Sequence, residues 1–295
     1  MTSSTLADLP CYLNGEFTTL PNAKVSVMDR GFIFGDGVYE VVPVYAGRPF
    51  RFDDHMARLD RSLGEMRIAN PNTRSVWREI VDELIARYAR QQGKPAPETN
   101  QLVYLQVTRG VAMRDHVMPP GIVPTVFAMT NRLALYSPED RARGAECITA
   151  DDLRWKRGHI KSISLAGVVL ARQLSADVGA LETIMFRDGF LTEAAASNVW
   201  VVKDGKLLGS PRDNLVLEGI RYGLMEELCR DAGIPFELRR ISREEVLAAD
   251  ELMLSSATKE IIPVTLLDGK PVANGRPGPI YEKLYALYQR AKQSS

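Results

Sequence analysis

The chain has 295 residues, 45% of them hydrophobic, so it can bury a sizeable core, and its length favours two domains over one. Its 37 basic and 37 acidic side chains cancel to a formal net charge of +0, which offers a polyanion no attracting field and argues against nucleic acid as a partner. Three scattered cysteines, Cys11, Cys147 and Cys229, argue against a disulfide framework, and the lack of a long apolar run argues against a membrane anchor, so a cytoplasmic protein is expected.

In chain order, "YLNGEF" predicts a hairpin on Asn14-Gly15, and "GDGVYEVVPVYAGRPF" a second, longer strand pair. In "DDHMARLDRSLGEMRI", Met56, Leu59, Leu63 and Met66 recur at spacings of three and four, which predicts a helix face with Asp53 as its cap. Arg58 falls off that stripe and by itself reads as a solvated charge. "TRSVWREIVDELIARYARQQ" predicts a helix from a Thr73 cap to a stop before Gly93. Two apolar strands follow, "QLVYLQVTRG" and "VPTVFAMT", parted by a loop whose Pro119-Pro120-Gly121 cannot continue a sheet.

The charges around Pro138 in "NRLALYSPEDRARG" read as a linker. This divides the chain into a smaller N-terminal α/β domain over 1–131, a linker over 132–140 and a larger C-terminal domain over 141–295. The second part alternates strands, hairpins at Asp188-Gly189, Asp204-Gly205 and Asp268-Gly269, and helices over 165–177, 219–232 and 278–292. Connections this short predict an α+β fold of mainly antiparallel sheets with flanking helices.

The chemistry narrows by elimination. His55, His116 and His159 stand alone in their segments, so no metal site is expected. Gly31, Gly35 and Gly37 lack dinucleotide-fingerprint spacing, and no Gly-x-Ser-x-Gly elbow is present. Lysine chemistry remains. In "RWKRGHIKSISLAGVVLARQ", Lys161 stands where a polar segment turns into an apolar helix, a neighbourhood that can desolvate an amine. Alone it reads as a solvated lysine. Glu193 in "FLTEAAASNVWVV" is alone a turn carboxylate, and Gly219-Ile220-Arg221 an ordinary helix start whose N–H groups could hold a phosphate.

Together and in this order, "DRGFIFGDGVYEV", "HIKS", "LTEAAASNV", "LEGIR" and "SSATKEIIPV" resemble the class IV, or fold type IV, pyridoxal-phosphate aminotransferases, from about Tyr12 to the C-terminal helix. The family includes D-amino-acid, branched-chain and (R)-amine aminotransferases and aminodeoxychorismate lyase. The resemblance implies a two-domain fold type IV enzyme in which Lys161 forms the Schiff base with pyridoxal 5'-phosphate and later shuttles a proton. Glu193 would pair with the pyridine nitrogen. Arg58, the backbone at Ile220 and Arg221, and the Thr258 hydroxyl would hold the phosphate. Arg221 replaces the family's threonine, so a side-chain hydroxyl contact there is lost.

Arg114 and His116 in "VTRGVAMRDHVMPP" by themselves read as two solvated charges. With Tyr39 they resemble the substrate-carboxylate trap of the D-amino-acid aminotransferases, in which the Arg and His come from the partner subunit; the branched-chain enzymes lack the pair. The implied activity is a D-amino-acid:2-oxo-acid aminotransferase, working as a homodimer on pairs such as D-alanine and 2-oxoglutarate by a ping-pong cycle. Two readings stay open beside it. One is another class IV activity: branched-chain or (R)-amine transamination, or the aminodeoxychorismate lyase reaction. The other is a non-catalytic member that uses the scaffold for binding, against which the intact Lys161, Glu193 and Arg58 count.

Overall fold

In the computed structural model, which describes residues 6–293, Asn14 and Gly15 hold φ of 48° and 104° and turn β1 (Pro10–Leu13) onto β2 (Glu16–Thr19). The described chain divides into two units, the first made of residues 6–134 and Ile160–Ser164. There α1 (Arg30–Phe34) ends on Gly35 and leads into β3 (Gly37–Tyr45). Its return strand, β4 (Arg48–Pro49), is only two residues long, shorter than the expected partner, because Arg51 turns into the left-handed region at φ 53°. That turn starts α2 (Phe52–Glu65), so Arg51 and not Asp53 occupies the cap position. Asp53 lies instead with Asp54 in the first turn, where a negative charge suits the positive helix end.

The next helix, α3 (Arg74–Gln91), starts as expected at Thr73, whose side chain accepts from the Val76 N–H. With β5 (Gln101–Thr108) and β6 (Thr125–Arg132), the first sheet has the order β2-β1-β6-β5-β3-β4 and is antiparallel throughout. Val42 and Leu105 of this sheet pack with Leu59 of α2 and with Trp77 and Leu84 of α3. Ile160 joins that core, and Ser162 bridges to Val38.

The second unit comprises Leu135–His159 and residues 165–293. It opens where a linker was expected, yet the stretch folds: Ser137 and Asp140 form a reciprocal capping box on α4 (Pro138–Arg143). Pro138 sits in the first turn, where its missing N–H costs nothing, and Arg141 is buried with its Nη2 2.6 Å from Glu260. The unit continues through β7 (Ala145–Asp151), α5 (Ala166–Asp177), β8 (Glu182–Arg187), β9 (Phe190–Ala194), β10 (Asn198–Lys203) and β11 (Lys206–Gly209). It is completed by α6 (Ile220–Ala232), β12 (Phe236–Leu238), α7 (Arg243–Leu247), β13 (Glu251–Ser256), β14 (Glu260–Leu267), β15 (Lys270–Pro271) and α8 (Pro279–Gln293).

The strand order is β12-β11-β10-β13-β14-β7-β8-β9, with β15 on β14. Pairing is mostly antiparallel, but β11 with β12, β14 with β7 and β7 with β8 run parallel. The chain returns between β7 and β8 by way of α5, and between β11 and β12 by way of α6, the crossovers that parallel neighbours require. At the three Asp-Gly turns, aspartate φ values of 52°, 50° and 50° precede glycine values of 79°, 74° and 70°, as two-residue hairpins demand. Cys11, Cys147 and Cys229 are buried free thiols. Among the described residues, no helix is long and apolar enough to cross a membrane.

Candidate active site

Alternation along β3 sends Val38, Glu40 and Val42 into the core of the first unit and leaves Tyr39 on the opposite face. There the Tyr39 ring stacks on Tyr104 of β5, with centroids 5.6 Å apart, and carries the Lys161 Nζ 4.0 Å from its centroid. The lysine backbone is fixed on both sides. Its carbonyl accepts from the Tyr39 N–H at 3.0 Å, and its own N–H donates to the Ser62 hydroxyl of α2 at 3.3 Å. Such an amine, half-buried and held against an aromatic face, is positioned rather than free in solvent.

On the core face, Glu40 accepts from Arg58 Nε at 2.6 Å and Nη2 at 2.8 Å and lies 2.8 Å from His55 Nδ1. Burial alone would raise the Glu40 carboxyl, but Arg58 and then His55 hold it far below the ordinary carboxylate range. Arg58 is 6% exposed, not the solvated charge that the helix stripe suggests. The facing strand supplies a carboxylate that the helix pattern alone does not show. Arg114 and His116 are both exposed on the loop between β5 and β6.

Within the second unit, Glu193 on β9 is buried. Its Oε1 pairs with Arg154 Nη1, and its Oε2 accepts from Asn198 Nδ2 at 3.2 Å and the Leu217 N–H at 3.3 Å. Burial pushes its carboxyl up, and Arg154 opposes that shift. Arg154 is itself held by Asp152, Nε to Oδ1 at 2.9 Å and Nη2 to Oδ2 at 2.8 Å.

Asn198 also donates to the Leu217 carbonyl at 2.9 Å, which ties the Glu193 strand to the turn preceding α6. At that turn Gly219 is the N-cap, and a Cβ there would stand 2.1 Å from Asn198 Oδ1. Gly219 therefore brings no side chain to the first N–H groups of Ile220 and Arg221. The Arg221 side chain is 2% exposed, with its guanidinium carbon 5.5 Å from the ring centroid of Tyr288 on α8. Thr258 lies in the turn between β13 and β14, its hydroxyl 3.3 Å from Ser256 Oγ. Next to it, Lys259 Nζ reaches the buried Glu182 at 2.9 Å, and Glu182 also accepts from Ser197 Oγ at 3.0 Å.

These groups fit a phosphorylated pyridine. A buried carboxylate braced by three donors can accept a ring N–H, and a helix start with a glycine at its cap can receive a phosphate. Reading the sequence alone missed Arg154, Asn198 and Glu40. Arg154 stands in the same "RWKRGHIK" stretch as the lysine, but a short basic run reads as a solvated patch until its acidic partners are known.

A family model described as amino-transferase class IV matches residues 37–267. The D-alanine aminotransferase of Bacillus licheniformis is 37% identical over 279 residues, 94% of this chain and 95% of that protein. That of Staphylococcus epidermidis is 36% identical over 285 residues, 96% and 98% of the two chains. Among solved structures, the branched-chain aminotransferase of the thermophilic archaeon Thermoproteus uzoniensis with norvaline superposes with a TM-score of 0.84 at 23% identity, over 97% of this chain and 95% of that one. A fold IV transaminase from Curtobacterium pusillum gives 0.79 at 26% identity over 92% of each.

Proposed function

The chain belongs to the class IV aminotransferases, and from that premise we propose that it is a pyridoxal-phosphate-dependent D-amino-acid:2-oxo-acid aminotransferase. The observation that carries the chemistry is the Lys161 amine held against Tyr39 on a fixed backbone. The observation that favours the D-amino-acid class is likeness over nearly the whole chain to D-alanine aminotransferases, combined with the Arg114 and His116 pair.

When bound, the cofactor supplies an electron sink that lets the substrate Cα proton leave. Lys161 would hold the cofactor, and its amine, when free, would take and return the substrate Cα proton. Glu193 accepts the ring N–H and keeps the ring nitrogen protonated; Arg154 and Asn198 keep its carboxylate oriented. Arg58, the N–H groups of Ile220 and Arg221, and the Thr258 hydroxyl take the phosphate. With the Arg221 side chain turned to Tyr288, its contribution is the backbone N–H.

Tyr39 offers a hydroxyl donor to the substrate carboxylate, and Arg114 with His116 grips it from a second copy of the chain. The exposure of both side chains, beside exposed Val111, Met113, Val117 and Val123, supports their serving a partner. The position of this grip selects the D enantiomer, because the proton-transfer face is common to the class.

The test is a panel of D- and L-amino acids with pyruvate and 2-oxoglutarate as acceptors, run beside borohydride reduction and peptide mapping. D-alanine with 2-oxoglutarate should turn over and Lys161 should carry the pyridoxyl label. Faster use of L-leucine or of a carboxylate-free amine overturns the substrate class, and a label on another lysine overturns the assignment of Lys161.

A further inference from the structure

One aromatic ring gathers the polar groups of the loop between β5 and β6. The Arg114 guanidinium carbon lies 5.5 Å from the Phe34 centroid, the His116 ring 5.4 Å from it, and the Arg30 guanidinium carbon 4.8 Å. Phe34 is the last residue of α1, and that helix end is set by Gly35 at φ 67°, where a Cβ would stand 2.7 Å from Ser164 Oγ.

Arg30, 4% exposed, also holds the loop's backbone. Its Nη1 donates to the carbonyl of Asp115 at 2.5 Å and points at that of Val117 at 3.5 Å, the residues on either side of His116. Its Nε donates to Asp36 at 2.8 Å, and Arg109 grips the same carboxylate through Nε at 2.7 Å and Nη2 at 2.9 Å. Burial works to raise the Asp36 carboxyl, but Arg109 and Arg30 hold it below its ordinary value, so this brace stays charged at neutral pH. A loop whose exposed side chains were merely solvated would have no use for a buried arginine bonded to its carbonyls.

Resting on the reading that Arg114 and His116 hold the substrate carboxylate, we infer that Phe34 is a specificity-determining positioning residue. Its ring sets the approach of both side chains, while Arg30 fixes the backbone around His116. The ring face attracts the guanidinium and confines a long, otherwise mobile side chain, so less freedom is lost when a carboxylate binds. The effect belongs to binding of carboxylates and leaves the lysine chemistry untouched.

Phe34→Leu, Phe34→Tyr and Arg114→Met, each as holoenzyme, test this through the KM and kcat for D-alanine and the Kd of D-lactate, a carboxylate that cannot transaminate. Phe34→Leu should raise KM and the D-lactate Kd on the order of five- to tenfold, well beyond any fall in kcat, and Phe34→Tyr, which keeps the ring, should restore both. Unchanged KM and Kd in Phe34→Leu, beside a clear loss of both in Arg114→Met, overturns the inference and leaves the carboxylate grip standing. Equal losses in kcat and KM that Phe34→Tyr does not repair also overturn it, since they mark the ring as a packing element. No change in Arg114→Met overturns the underlying reading of the grip.

Discussion

Glu193 and Arg154 show how a carboxylate can be buried and still remain available. Arg154 keeps two bonds to Asp152 whatever stands at position 193, so removing the Glu193 charge does not strand a buried guanidinium. Glu193→Gln should therefore stay folded and keep its cofactor. Single-turnover bleaching of the cofactor by D-alanine should slow on the order of a hundredfold, because an amide no longer favours a protonated ring nitrogen. An unchanged rate would leave Glu193 only a structural partner of Arg154 on β9. At this scale the sequence marks the side chains proposed for the chemistry, since Lys161, Glu193 and Thr258 sit in ordered motifs. It does not show their braces, because Arg154 pairs with Glu193 across 39 positions and Arg58 with Glu40 across 18, and no local pattern registers such partners.

The strand β3 carries Tyr39 on one face and Glu40 on the other, so a single element joins the amine's resting place to a buried ion pair. The Glu40 carboxyl is depressed in the folded protein, so its stabilisation is fully present above the unfolded value of about 4.3 and is lost as pH falls below it toward the folded value. Glu40→Gln should cost roughly 3–5 kcal/mol at neutral pH, since it leaves Arg58 without its carboxylate. Denaturant unfolding followed from pH 6 to pH 3 should also show a shallower acid decline, by up to about one proton. An acid limb of unaltered slope would mean that Glu40 is not held as an ion. Element by element, the Asp-Gly hairpins are legible because only a few residue types accept positive φ at both turn positions. The brevity of β4 is not, because Arg51 adopts a left-handed conformation that its residue type does not favour.

For the whole molecule, two copies are the proposed working unit, and subunit exchange tests it. Mixing Arg114→Met with Lys161→Ala should restore activity from two nearly inactive proteins, because one site of the heterodimer carries both defects and the other neither. No recovery despite demonstrated exchange places Arg114 outside its partner's site. The class and its α+β character are legible from motif order and short connections, whereas the parallel pairing of β14 with β7 is not, since it joins strands more than a hundred residues apart. Nor is the return of Ile160–Ser164 to the first unit legible, as five residues carry no period that names the sheet they will join. That return imposes an order on biosynthesis. The first unit cannot be finished when residue 134 leaves the ribosome; it waits for some thirty more residues, and Val38, Tyr39 and Ser62 stay without their partners on the lysine segment until then. A nascent chain stalled before residue 160 should therefore expose the Tyr39 face to proteases, and one stalled after residue 164 has emerged should begin to protect it, so the segment that carries Lys161 is also the closing stitch of the unit that holds it.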